Sequence, residues 1–216
     1  MQDNWLIKLD LRLGDIPTAF TLLTRLPLPV DHAKTGERAA KAAWAYPLVG
    51  AVAGLFAGVI AFTLSSVGVL SDIAAAIAIS ALMLFTGALH EDGLSDCADG
   101  LGGGKTVKHR LEIMKDSRIG AFGAAALCAA ILARWSGYNA LITVDWVWAF
   151  IAVGVASRLP MVLVMYVMPL ARPNGMAAAV GQVTTPNAIV ATLLTLILCL
   201  ACVGQLALVA ISIAII

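Results

Sequence analysis

Two long stretches without a charged residue constrain this chain more than any other feature. Residues 42–71 and residues 173–216 contain no Asp, Glu, Lys or Arg. A helix needs about 20 apolar residues to cross the ~30 Å hydrocarbon core of a bilayer. Across the whole chain, hydrophobic residues make up 61% and charged residues 12%, whereas soluble domains carry about 25% charged residues. The sequence therefore predicts a polytopic membrane protein.

The fold class we predict is all-α, a membrane helix bundle with about five or six transmembrane helices. The expected spans are residues 42–71, 73–89, 119–133 (extensible to 138), 147–170 and 188–216. We expect an interruption at Arg158-Leu159-Pro160, and a turn at Gly204-Gln205 that divides the last stretch. An arginine within a span must face protein, water or a ligand, which makes Arg158 a functional candidate.

The polar N-terminal segment, residues 1–41, is predicted to lie at the membrane surface. Its leucines between Leu6 and Leu23 favour an amphipathic helix that is broken at or just before Pro17. Residues 42–216 would form the helix bundle of a single integral membrane domain. Eleven of the 14 Lys and Arg residues lie in 1–41 and 90–118. The positive-inside rule places both segments on the cytoplasmic side of the membrane.

A short acidic run, residues 90–104 (H-E-D-G-L-S-D-C-A-D-G-L-G-G-G), follows the second predicted span. On a helix, Asp92, Asp96 and Asp99 fall at i, i+4 and i+7 and share one face. Like charges at that spacing repel, so we expect a cation between them. Oxygen ligands without a nearby His or Cys cage indicate Mg²⁺ or Mn²⁺. The alternative is a solvated acidic loop between two membrane helices.

A second polar cluster, Lys115-Asp116-Ser117-Arg118, adds a fourth carboxylate and two cations. The glycines of the acidic run, Gly93 and Gly100 among them, remove side chains where a bulky ligand would need close approach to the backbone. Together these segments read D-G-x-x-D-x-x-D-G and K-D-S-R-I-G-A-F-G. Their combination indicates a binding site far more strongly than a lone pair of acids would.

These two segments resemble the signature segments of the cobalamin synthase family, the adenosylcobinamide-GDP ribazoletransferases. The segments F-T-L-L-T-R-L-P-L-P (residues 20–29) and W-A-Y-P-L-V-G (residues 44–50) are similar to that family as well. The likeness in motifs runs from about Ile16 to Arg172. Beyond Arg172 it rests on hydropathy alone.

The resemblance implies a magnesium-dependent phosphotransferase of the bacterial inner membrane whose site faces the cytoplasm. It would join adenosylcobinamide-GDP to α-ribazole or its 5′-phosphate, release GMP, and form adenosylcobalamin or its phosphate. The lipid bilayer would be its other partner, nucleic acid would not be one, and a homo-oligomer is left open.

Each candidate residue has an expected role. The expected metal ligands are Asp92, Asp96, Asp99 and Asp116. Three of these ligands, Asp92, Asp99 and Asp116, are also catalytic candidates. Glu91 would be a fifth ligand or a base, while His90 and His109 would either move protons or face lipid headgroups. The expected substrate and phosphate contacts are Arg25, Gly93, Gly100, Lys115, Arg118 and Arg158; for Arg25, a headgroup-facing role is the alternative.

Two other functions stay open at this point. Lipid CDP-alcohol phosphotransferases also place several Asp on membrane helices, but the motif D-G-x-x-A-R is absent from this sequence. A cation transporter would place acids near the middle of a span, whereas these lie beside a basic, Gly-rich loop. The resemblance also implies a further C-terminal segment with a G-G-x-T-G-D type motif. We therefore expect residues 1–216 alone to have little or no activity.

Overall fold

The computed structural model describes residues 10–30, 36–143 and 147–215. Within these ranges the chain is helical and contains no strand, which confirms the predicted fold class. The longer elements are α1 (Asp15–Leu23), a 3₁₀ helix (Lys41–Ala45), α2 (Tyr46–Ser66), α3 (Ser71–Thr86), α4 (Leu89–Gly103), α5 (Val107–Ile113), α6 (Ala121–Thr143), α7 (Val147–Ala156), α8 (Leu159–Val167), α9 (Met176–Val180) and α10 (Thr185–Ile215).

Among the described residues, four segments are long and apolar enough to cross a membrane, as in a multi-pass membrane protein. They are Lys41–Ser66, Ala121–Thr143, Val147–Val167 and Thr185–Cys202. A fifth crossing arises if the bent pair α3 and α4 counts as one span. The predicted turn at Gly204-Gln205 is wrong, because α10 continues through it as one helix of 31 residues. An uninterrupted run of helix-compatible residues follows Pro186, and no breaker ends it.

The described residues form two compact units. The first comprises Met1–Gly58 with Val147–Ile216, and the second comprises Val59–Trp146. In the first unit, α2 packs directly on α7. A Cβ at Gly50 would overlap the carbonyl of Gly154, and one at Gly54 would overlap that of Phe150. The G-x-x-x-G spacing thus lets two helix backbones meet, as small residues do in membrane bundles. The predicted interruption at Arg158 is confirmed as the break between α7 and α8.

The N-terminal segment folds onto the 3₁₀ helix of the same unit. Helix α1 begins at Asp15, so Pro17 stands in its first turn, where a missing backbone N–H leaves no helical hydrogen bond unmade. The part of the predicted amphipathic helix before Asp10 lies outside the described residues. Farther along the chain, the Asn187 amide donates to the carbonyl of Lys41 at 2.8 Å and ties the start of α10 to the 3₁₀ helix.

The second unit is built around α6, which packs on both α3 and α4. At the end of α6 that lies near α3, the Trp135 ring N–H donates to the backbone carbonyl of Asp72 at 2.9 Å, and the Asn139 amide donates to the Asp72 carboxylate. Trp135 and Asn139 therefore join α6 to the start of α3. The acidic run occupies α4, the other helix that packs on α6.

Candidate active site

A sharp turn places the acidic run on a helix of its own. Gly87 and Ala88 both adopt left-handed backbone angles, with φ of 68° and 56°. Helices α3 and α4 consequently meet at 90°. The sequence predicted a span over residues 73–89, followed by the acidic run. In the structure α3 ends at Thr86, and the chain turns there before the acidic run begins.

One face of α4 is buried and carries two carboxylates. Glu91, Ser95 and Asp99 lie at i, i+4 and i+8 and are 7%, 4% and 9% exposed; we call them the inner stripe. The Arg134 guanidinium donates to Glu91 Oε1 at 2.7 Å. Arg134 thus neutralises a buried carboxylate. Among the described residues, the other oxygen, Oε2, has no hydrogen-bond partner.

Asp99 binds the beginning of α6. Its two carboxylate oxygens accept the backbone N–H groups of Gly120 and Gly123, each at 2.8 Å. The first N–H groups of a helix have no partner within the helix and carry partial positive charge, so a carboxylate is well suited to them. A Cβ at Gly120 would overlap the Asp99 carboxylate, and one at Gly123 would overlap both it and Ser95. The two glycines of R-I-G-A-F-G therefore make room for Asp99.

The neighbouring face of α4 carries Asp92 and Asp96, which we call the outer pair. Asp92 is exposed and Asp96 is partly exposed. They lie one helical turn apart, as the i, i+4 spacing predicts. The sequence placed three aspartates on a single stripe. The helix has that stripe, but its exposure falls from Asp92 to Asp99, so its members face different surroundings.

The second signature segment forms the loop between α5 and α6. Arg118 donates to both carboxylate oxygens of Asp116 at 3.0 Å, and this pair is exposed. Hydrogen bonds from Arg118 hold the pKa of Asp116 below its ordinary value. Lys115 is exposed. Asp116 was predicted as a metal ligand and Arg118 as a phosphate contact, and in this structure they bind each other.

Most glycines of the acidic run have packing reasons of their own. A Cβ at Gly100 would come 2.6 Å from the Met114 side chain and 3.1 Å from the Arg110 carbonyl, so this glycine brings α5 close to α4. The Arg110 side chain also donates to the carbonyl of Gly104 at 2.9 Å. Gly93, in contrast, has open space where a side chain would be. Of the two predicted ligand-facing glycines, only Gly93 borders open space.

The remaining sequence candidates occupy varied surroundings. His90 is partly buried, and His109 is exposed, its backbone N–H bound by the capping hydroxyl of Thr106. Arg25 and Arg158 belong to the first unit: Arg25 is exposed, while Arg158 is 8% exposed and donates to the Ser157 hydroxyl at 2.7 Å. Their roles as substrate contacts stay predictions.

Sequence reasoning missed an ionic cluster in the first unit. Asp15 is fully buried and accepts hydrogen bonds from Arg38 at 2.6 Å and from the Trp44 ring at 3.0 Å. Asp10 binds Arg38 and Lys41 at 3.0 and 2.7 Å. Burial acts to raise the pKa of Asp15, but the hydrogen bonds outweigh it and the pKa lies below its ordinary value. The only sequence signal for this cluster was an acidic residue, Asp15, at the start of a helix.

The predicted four-carboxylate metal cage is not assembled in the described part of the chain. Residues 10–30, 36–143 and 147–215 contain no group of three or more His, Cys, Asp or Glu side chains that could hold a metal ion. Asp99 and Asp116 have the partners named above. Mg²⁺, however, commonly binds through one or two carboxylates, with water and substrate phosphates completing its shell. The outer pair fits that simpler donor set.

Comparison with known proteins identifies the family. The sequence model of the cobalamin-5-phosphate synthase family matches residues 15–216, which carries the likeness past Arg172 to the end of the chain. A Mesorhizobium japonicum protein named adenosylcobinamide-GDP ribazoletransferase is 41% identical over 183 residues, 84% of this chain and 70% of its own length. Proteins of the same name from Bradyrhizobium diazoefficiens and Brucella ovis are 40% and 42% identical, covering 78% and 84% of this chain and 65% and 70% of their own lengths. No solved structure is significantly similar to the chain. The chain belongs to the cobalamin-5-phosphate synthase family.

Proposed function

We propose that this protein transfers the adenosylcobinamide phosphate moiety of adenosylcobinamide-GDP to α-ribazole, or to α-ribazole 5′-phosphate, and releases GMP. The product is adenosylcobalamin or its 5′-phosphate. The observation that carries this proposal is the outer pair, two carboxylates that lie one helical turn apart on the more exposed face of α4. The names of the relatives supply the substrates.

The chemistry requires charge neutralisation more than covalent help from the protein. A ribazole hydroxyl oxygen attacks the phosphorus on the cobinamide side of the diphosphate, and the bond from that phosphorus to the bridging oxygen breaks. GMP leaves with that oxygen, and the hydroxyl proton passes to a carboxylate of the outer pair. Such phosphoryl transfers depend almost entirely on positioning and electrostatic stabilisation.

The basic loop at residues 115–118 supplies cations beside α4. Its two ends are fixed there, because Met114 packs against Gly100 and the Gly120 N–H binds Asp99. Lys115 is exposed and can approach a phosphate oxygen. The guanidinium of Arg118 can exchange Asp116 for a diphosphate, since arginine binds phosphate oxygens bidentately.

Asp92 and Asp96 would hold Mg²⁺ in this scheme. When bound, the ion supplies neutralisation of the diphosphate and of the leaving GMP. Glu91 contributes differently, because Arg134 already binds it and it is buried. In this scheme Asp99 holds the start of α6, and Asp116 binds Arg118 until the diphosphate replaces it.

The site faces the cytoplasmic side of the inner membrane in this proposal, as the distribution of Lys and Arg indicates. Cysteine labelling can check the orientation, in a background without the four native cysteines. Lys108→Cys and Thr143→Cys are both at exposed positions, the second at the end of α6. An impermeant reagent added outside intact cells should label Thr143→Cys and leave Lys108→Cys unmodified; labelling of Lys108→Cys from outside would contradict the orientation.

GMP release tests the activity. Because residues 1–216 alone are expected to have little or no activity, the assay uses them joined to the C-terminal segment that the family resemblance implies. This purified protein in liposomes is mixed with adenosylcobinamide-GDP, with and without α-ribazole and Mg²⁺. We expect GMP and adenosylcobalamin to form in equal amounts, and only when α-ribazole and Mg²⁺ are both present. GMP release that does not depend on α-ribazole would identify a hydrolase, and no release by folded protein would contradict the proposed transfer.

A further inference from the structure

The inner stripe joins α4 to α6 near both ends of the contact between them. Glu91 in the first turn of α4 binds Arg134 in the second half of α6. Asp99, farther along α4, binds the backbone of Gly120 and Gly123 at the start of α6. The two helices therefore run antiparallel. The two carboxylates are separated by about 12 Å along α4, at a rise of 1.5 Å per residue.

Asp99 controls the end of α6 that continues into the basic loop. Gly120 directly precedes α6, and Arg118 stands two residues before it. The position at which Asp99 holds the Gly120 N–H therefore decides where Lys115 and Arg118 lie beside α4. Both oxygens of Asp99 are used in this contact, and the residue is 9% exposed.

Gly120 carries independent evidence for the contact. Its φ is not in the left-handed region, so its backbone conformation alone does not call for glycine. The three atoms nearest to a Cβ built at Gly120 all belong to the Asp99 carboxylate. An alanine there would push the carboxylate away from the two N–H groups. The last aspartate of one signature segment and the first glycine of the other are thus the two halves of one contact.

We propose that Asp99 is a positioning residue: it fixes the start of α6, and with it the Lys115–Arg118 loop, against the outer pair, and it is not a ligand of the metal. The inference rests on the proposed function for its catalytic consequence. The contact itself can be tested without any catalysis.

A double-mutant cycle in thermal unfolding tests the contact. Gly120→Ala should lower the Tm by about 5 °C in the parent protein, because the added methyl group overpacks the site. In an Asp99→Ala background the same change should shift the Tm by about 1 °C or less, since the carboxylate that it displaces is gone. Asp99→Ser, whose hydroxyl is smaller and still an acceptor, replaces Asp99→Ala if that variant does not accumulate. Gly137→Ala, inside α6 with open space around it, is the control for an added methyl group.

Enzyme kinetics then separate positioning from metal binding. Gly120→Ala and Asp99→Ser should each lower kcat for GMP release by about 10-fold or more, as misplaced groups do. The Mg²⁺ concentration for half-maximal rate should stay within about twofold of the parent value, whereas loss of a ligand or of its support raises it about 10-fold or more.

The outcomes distinguish the two proposals. Equal Tm shifts from Gly120→Ala in both backgrounds, or a large rise in half-saturating Mg²⁺ for Asp99→Ser, would overturn the positioning role. If the chain that carries the C-terminal segment releases no GMP, the proposed function fails, and the thermal cycle still decides whether Asp99 holds the start of α6.

Discussion

The inner stripe and the outer pair of α4 are neighbours in sequence and differ in what surrounds them. Glu91 and Asp99 are buried, and each has a partner on α6, an arginine in one case and two backbone N–H groups in the other. Asp92 and Asp96 lie on the more exposed face. Burying a carboxylate is unfavourable unless it is paired or hydrogen-bonded. Carboxylates therefore attach α4 to α6 on one face, and in the proposed function they serve substrate chemistry on the next.

The largest expected effect comes from removing the cation that pairs with the inner stripe. Arg134→Met leaves the Glu91 carboxylate buried without its partner, which should lower the free energy of unfolding by about 3–5 kcal/mol. Thermal or denaturant unfolding in detergent measures it. Adding Glu91→Gln to Arg134→Met should restore much of the loss.

An exposed ion pair provides the control for that prediction. Arg118→Met removes the partner of Asp116, and surface pairs contribute about 1 kcal/mol or less. Arg118 is 87% exposed, whereas the Glu91 side chain is 8% exposed. Equal losses of stability from Arg134→Met and Arg118→Met would show that burial does not separate the two pairs.

The second effect concerns the outer pair. Asp96→Asn and Asp92→Asn preserve size and remove charge, and each should slow GMP release by about 10²-fold or more, judged from single-group removals in electrostatically organised sites. The double variant should be little worse than either single one, because the two residues act as a unit. Asp72→Asn keeps an acceptor for Asn139 and should be near neutral. Full activity of both single variants would contradict a catalytic outer pair.

Much of this arrangement could be predicted from the sequence, and the reason for the remainder is physical. Apolar stretches predicted the helical membrane fold, and the i, i+4, i+7 spacing predicted the shared face of α4. The partners of that face could not be predicted, because Gly120 and Arg134 lie 21 and 43 residues from Asp99 and Glu91. Glycines have no side-chain chemistry of their own, so sequence alone could not say whether they approach a ligand or a helix.

The N-terminal cluster missed by sequence reasoning gives a third, smaller effect. Hydrogen bonds from Arg38 and Trp44 outweigh burial and keep the pKa of Asp15 below its ordinary value. A depressed pKa stabilises the fold above the unfolded value of about 4 and loses that contribution as the pH falls through the folded pKa. Asp15→Asn should cost about 2 kcal/mol at pH 7, a typical value for hydrogen bonds to a charged group. Its unfolding free energy should also fall less than the parent's below about pH 4. An identical pH dependence would contradict an ionised Asp15.

The smallest effect concerns the turn that separates α4 from α3. Ala88 has φ of 56°, a left-handed conformation that costs a non-glycine residue about 1–2 kcal/mol. Ala88→Gly should therefore raise the free energy of unfolding by about 0.5–1 kcal/mol, after the larger chain entropy of glycine is subtracted. Ala125→Gly, at an exposed position inside α6, should lower it by about 1 kcal/mol. A loss of stability in Ala88→Gly would argue against the left-handed turn.

The central claim is that the outer pair binds Mg²⁺ and the inner stripe binds α6. It is tested most directly by the Mg²⁺ dependence of GMP release in two variants, Asp96→Asn from the outer pair and Glu91→Gln from the inner stripe. Asp96→Asn should raise the Mg²⁺ concentration for half-maximal rate by about 10-fold or more. Glu91→Gln keeps an oxygen for Arg134, so its half-saturating Mg²⁺ should match the parent value even where its rate is lower. The reverse result, with Glu91→Gln shifting the Mg²⁺ dependence and Asp96→Asn leaving it unchanged, would contradict the account.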